Sequence, residues 1–69
     1  MITPGLYKHF KGQTYEVIDT AKHSETLEEL VIYRNVENGE MWARPVAMFE
    51  ETVEANGQEF LRFSFLREK

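Results

Sequence analysis

Two histidines, one tryptophan and an arginine two positions beyond that tryptophan are the side chains best able to do chemistry in this chain of 69 residues. His23, Glu25 and Glu28 lie within six residues of one another, close enough for a loop to fold an imidazole and two carboxylates round a divalent cation. With His9 as a base, these four residues are the material from which an enzyme or a metal-dependent domain would be made. Ser24 follows His23 directly, but neighbours in an extended chain point apart, so they do not read as a nucleophile and its base. There is no cysteine, and the four glycines are scattered at turns rather than gathered in a phosphate-binding loop. The residues therefore point away from a catalytic constellation, and no cofactor or resident metal is expected.

The stretch "GEMWARPVAMF" carries a second kind of chemistry. Trp42 and Arg44 are two apart, so on a strand they share a face. Trp, Tyr and Arg are the residues enriched where binding energy concentrates. Tyr33, Trp42 and Arg44, bordered by Tyr7 and His9, form the candidate ligand-binding patch, suited to a carboxylate, a peptide or a base. Trp42 is large enough to close one side of a small core. Arg44 can lay its stem over the rings and keep its guanidinium in water.

The elements that must position these residues are strands. Lys11-Gly12, Asn38-Gly39 and Asn56-Gly57 punctuate the chain, and Asn-Gly suits the positive φ of a two-residue hairpin turn. The runs between are rich in Val, Ile, Tyr, Phe and Thr, giving strands over 6–10, 14–22, 29–36, 41–44, 51–53 and 59–65. Residues 45–51 open on a proline and suit a single helical turn. Two-residue loops would set Val36 opposite Met41 and Tyr33 opposite Arg44, a cation–π pair. They would set Tyr7 opposite Glu16, and Val53 opposite Phe60 with Glu51 facing Arg62. Leu6, Phe10, Tyr15 and Val17, with Leu30, Ile32, Val36, Met41 and Ala43, would then face the core. The fold expected is all-β: one small domain over residues 1–69, either an SH3-like barrel or a strongly bent antiparallel sheet of five to six short strands.

Charge limits the partners. The formal net charge is −4, which disfavours nucleic acid and anionic membranes. Lys8, Lys11 and Lys22 could still make a basic pole for weak nucleic-acid binding. The segment "MITPGLYKHF" lacks the apolar run of a secretion signal, and no stretch is long and apolar enough to span a membrane. A cytoplasmic protein is expected, with a small molecule or another protein as its partner. A domain this small buries only about 60% of its unfolded surface, so a monomer or weak homodimer is expected.

Three segments, "PGLYKHFKGQTYEV", "AKHSETLEELVIYRNV" and "MWARPVAMFEETVEANGQEFLRF", together resemble the bacterial family catalogued as domain of unknown function 1653. The resemblance rests on Gly5, Tyr7, His9 and Gly12 in "GLYKHFKG", on Tyr33-Arg34, on Trp42, Arg44 and Pro45, and on Met48-Phe49. It implies a short, self-contained bacterial domain. It brings no activity, substrate or catalytic residue. The expected function is a non-catalytic binding module that uses its aromatic–Arg face.

Overall fold

The computed structural model describes residues 2–69. Seven strands and one helical turn follow in the order β1 (Gly5–His9), β2 (Thr14–Lys22), β3 (Glu29–Asn35), β4 (Met41–Pro45), α1 (Val46–Phe49), β5 (Thr52–Ala55), β6 (Gln58–Leu61) and β7 (Phe63–Arg67). Five of them form an antiparallel sheet in the order β4-β3-β2-β1-β7. The β5–β6 hairpin is a separate two-stranded sheet. The run expected as one strand over 59–65 breaks at Arg62, where the chain leaves the hairpin and joins β1. That break raises the strand count to seven.

The sheet is mainly β and strongly bent, but it does not close into an SH3-like barrel. Among the described residues β4 and β7 are its two edges. The hairpin that could have bridged them pairs only with itself. The bend has local causes. Val17 pairs with Tyr33 and Asp19 with Ile32, which leaves Ile18 as an extra residue bulged from β2. A second irregularity lies between Leu6 and Tyr7 where β1 meets β7. Bulges of this kind increase local twist and curl a sheet around its core.

The core is Tyr7, Val17, Val31, Tyr33, Phe49 and Phe63. Two expectations about sheet faces change here. The Lys11-Gly12 turn is a three-residue loop over 10–12, closed by a hydrogen bond from His9 N to Gln13 O. It sets Tyr7 opposite Tyr15 and Leu6 opposite Glu16. A loop one residue longer inverts the face of β1, so Tyr7 and His9 turn inward in place of Leu6 and Phe10. In β3 the buried residues are Val31 and Tyr33, and the face of Ile32, Met41 and Ala43 is the outer one. Arg34 lies on that outer face. It pairs across the strands with Glu16, which also accepts from Lys69.

The end of β4 shows why Trp-x-Arg is followed by proline. An edge strand tolerates a missing N–H, and Pro45 sits opposite Leu30 at the end of that edge. Its φ of −53° with ψ of 139° turns the chain off the sheet and opens α1. The helical turn expected within 45–51 is present as α1. It delivers Phe49 into the core, where the ring stacks on Phe63 at 4.2 Å between centroids and 5° between planes. Gly5 is needed for a close approach: a Cβ there would lie 2.6 Å from the carbonyl oxygen of Arg67.

Candidate functional site

Phe63 organises the candidate site. It enters β7 opposite His9, and its ring lies 5.0 Å from the imidazole, 5.5 Å from Tyr33 and 5.6 Å from Tyr15. The Arg44 guanidinium lies 6.0 Å from the same ring, within cation–π range. Arg44 Nε donates to the Tyr33 hydroxyl oxygen at 3.3 Å. The contact between Arg44 and Tyr33 is thus a hydrogen bond to the phenol, while the ring under the guanidinium belongs to Phe63. Among the described residues no carboxylate forms an ion pair with Arg44.

His9, Tyr33 and Arg44 are therefore brought together. Trp42 stands beside them on β4, directly opposite Tyr33, because the loop before it holds four residues instead of two. The expected Tyr33–Arg44 register shifts, yet Tyr33, Trp42 and Arg44 keep a common face. Trp42 does not close the core: it is 49% exposed on an edge strand, while its partner Tyr33 is 5% exposed. Tyr7 joins from the other side of the core. Its ring meets Phe49 and Phe65, each at 5.3 Å, and its hydroxyl donates to the Thr3 carbonyl at 2.7 Å. Burial pushes its phenol pKa up, with the Glu50 carboxylate adding to the rise.

His9 is held neutral. Its Nδ1 accepts from Lys11 N at 3.2 Å. Burial lowers the imidazole pKa, and the positive charges of Arg62, Arg44 and Lys11 lower it further. An imidazole surrounded by cations is a poor proton acceptor. Among the described residues the charges that bear on its titration are all positive.

Tyr15, Arg62 and Phe63 were not legible as site residues. The signal for Arg62 was its expected partner, Glu51, and the pair is present at 3.4 Å. Arg62 Nε is buried without an acceptor.

The other candidates are dispersed. His23 Nδ1 accepts from the backbone N–H of Glu25 at 3.1 Å and of Thr26 at 3.4 Å, so the imidazole caps its own loop. Among the described residues no three His, Asp or Glu side chains are gathered as metal ligands, and Glu25 and Glu28 stay exposed. Lys8 sits opposite Thr14 at one end of β2 and Lys22 ends the other, roughly 26 Å apart at about 3.3 Å per strand residue. Lys11 is on the first turn, over Phe10. Among the described residues no helix is long and apolar enough to cross a membrane.

Fold and site together define a small bent-sheet domain with an aromatic–arginine face. The family model described as "Protein of unknown function (DUF1653)" matches residues 5–65, and the chain belongs to that family. The chain is similar over its whole length to a solved structure, the crystal structure of a DUF1653 protein from Bordetella bronchiseptica. The two share 28% identity with a TM-score of 0.90, covering 99% of this chain and 91% of the other. No curated protein matches.

Proposed function

We propose that this chain is a non-catalytic binding module whose ligand carries an acidic group and docks on the face made by Trp42, Arg44 and Tyr33. One observation carries the reading. Arg44 is fixed to the Tyr33 hydroxyl and set over the Phe63 ring, yet among the described residues no carboxylate pairs with it, in a chain where Asp and Glu outnumber Lys and Arg by 12 to 8. A fixed guanidinium with free donors matches a carboxylate or phosphate bidentately, and the exposed indole beside it offers a plane for a ring or a peptide to lie against. Arg62, half-buried and paired with Glu51, and the neutral His9 lie near this face. The composition, free of cysteine, suits the cytoplasm.

Trp42 is the chain's one tryptophan, so its fluorescence reports on this face alone. Benzoate should quench it saturably, and the neutral isostere benzamide should do so at least tenfold more weakly. Arg44→Ala should remove that preference. A benzoate response that survives Arg44→Ala unchanged, or no response to either probe, overturns the reading.

A further inference from the structure

The backbone groups that β4 leaves unused follow from those it spends on β3. Asn35 N donates to Glu40 O at 2.9 Å, and these residues continue the β3–β4 register by one step. Hydrogen-bonded pairs alternate along an antiparallel ladder, so Glu40, Trp42 and Arg44 turn their N–H and C=O groups towards β3. Met41, Ala43 and Pro45 turn theirs outward. Pro45 has no donor, which leaves the outward N–H groups of Met41 and Ala43. Among the described residues β4 pairs with β3 alone.

Sheet edges usually carry devices against adding another strand, such as lysines, central prolines or bulges. The opposite edge has them: β7 meets β1 with an irregularity at Leu6 and Tyr7, and it runs out into Arg67, Glu68 and Lys69. β4 keeps an unbroken register with β3, contains no lysine, and holds its proline at the end. Met41, Trp42 and Ala43 are all exposed.

The run Glu40-Met41-Trp42-Ala43-Arg44 is also self-complementary. Two antiparallel copies exchange hydrogen bonds only where outward residues face each other. Met41 set opposite Ala43 of a second copy meets that condition. It places Trp42 opposite Trp42 and, by symmetry, each Glu40 opposite the other copy's Arg44. These are non-hydrogen-bonded pairs, the closer kind, with Cα atoms about 4.5 Å apart. The neighbouring registers lack this match: Met41 on Met41 sets Glu40 opposite Trp42, and Ala43 on Ala43 sets Arg44 opposite Trp42. Glu40 is exposed and its carboxylate accepts from Asn38 Nδ2 at 3.2 Å. Among the described residues it forms no ion pair.

We propose that β4 pairs antiparallel with β4 of a second copy of this chain, about a two-fold axis at Trp42, with Glu40 of each copy on Arg44 of the other. The proposal rests on the acidic-ligand reading of the Arg44 face and names the acidic group. The paired segment is short, so the dimer is a weak one.

Sedimentation velocity over a hundredfold range of concentration tests it, with amide exchange read at Met41 and Ala43. The chain should self-associate as its concentration rises, and exchange at those two amides should slow in step. Glu40→Arg and Arg44→Glu should each weaken association tenfold or more, because like charges then face each other. An equimolar mixture of the two variants should regain it, because every cross-strand pair is again Glu with Arg. Ala43→Pro removes an outward donor without touching charge or core, and should also leave a monomer. It should not change benzoate quenching of Trp42 in dilute protein, so the dimer and the acidic-ligand reading fail separately. A parent chain that binds benzoate but stays monomeric overturns the dimer and leaves that reading standing. Association that ignores Ala43→Pro, or a variant mixture that stays apart, overturns the dimer as well. So does slowed exchange at Met41 and Ala43 that appears only on adding the peptide acetyl-Thr-Glu-Val-Phe-Thr-amide, which would give the edge to a foreign strand.

Discussion

The same dipeptide, Asn-Gly, closes two hairpins of this protein in two different ways. Between β5 and β6, Asn56 has φ 54° and Gly57 φ 77°, the two left-handed residues of a two-residue turn. Val53 faces Phe60 as a two-residue loop requires. Between β3 and β4, Gly39 has φ 77° but Asn38 is not left-handed, and the loop takes in 36–39. The cause lies upstream. The Asn35 side chain accepts from Glu37 N at 2.8 Å, and its carbonyl accepts from Gly39 N at 2.8 Å. That side chain begins the turn before Asn38 is reached. The strands differ too. β3 contributes Val31 and Tyr33 to the core, whereas β5 and β6 bury no residue fully. Where a hairpin lies on a core, packing and a competing side chain choose the register. Where it stands free, the dipeptide chooses it.

The largest expected effect breaks the packed hairpin. Tyr33→Ala empties the centre of the aromatic cluster and should cost about 3–5 kcal/mol, the range for truncating a buried aromatic. Phe60→Ala, on the free hairpin and 41% exposed, should cost about 1 kcal/mol or less. Urea melts of the two variants check the contrast. Gly57→Ala comes next: the left-handed φ there should cost about 1 kcal/mol. Amide exchange should rise in β5 and β6 while the five-stranded sheet stays protected, because the two sheets are not hydrogen-bonded to each other.

Asn35→Ala sharpens the comparison further. Losing the turn's side-chain acceptor should cost about 1 kcal/mol. It tests whether packing alone can keep the four-residue loop. Cross-strand NOEs should still place Tyr33 opposite Trp42, because a two-residue loop would move Trp42 opposite Asn35.

The smallest effect is a pH dependence of the aromatic cluster. His9 titrates below its ordinary value of 6.5 in the folded protein, so the unfolded chain binds its proton first. Its contribution to stability is present above about pH 6.5 and is lost as pH falls through the lowered folded value. His9→Gln should flatten melting temperature against pH in that window. Glu16, held below its ordinary 4.5 by its hydrogen bonds to Arg34 and Lys69, leaves a further loss at more acid pH in both proteins.

Strand content, the helical turn and the β5–β6 register were legible because each rests on local chemistry: β-branched and aromatic runs, Pro45, and an undisturbed Asn-Gly. The inward face of β1 was not, because a three-residue and a two-residue loop carry nearly the same residues and invert the strand. Arg34, which interrupts the apolar face of Leu30, Ile32 and Val36, marks the side that meets water. At the candidate site, the shared face of Tyr33, Trp42 and Arg44 could be read from their alternation. Phe63 could not, since its partners His9, Tyr15 and Tyr33 come from three other strands and no spacing in the chain connects them.

Trp42 and Arg44 form a surface laid on a finished core. Equilibrium urea denaturation of the double variant Trp42→Ala, Arg44→Ala tests it directly. An indole half in water and an arginine held by one hydrogen bond should together cost about 2 kcal/mol or less, leaving a cooperative transition. A loss as large as that of Tyr33→Ala, or a chain with no cooperative transition, would make the pair part of the core and contradict the claim.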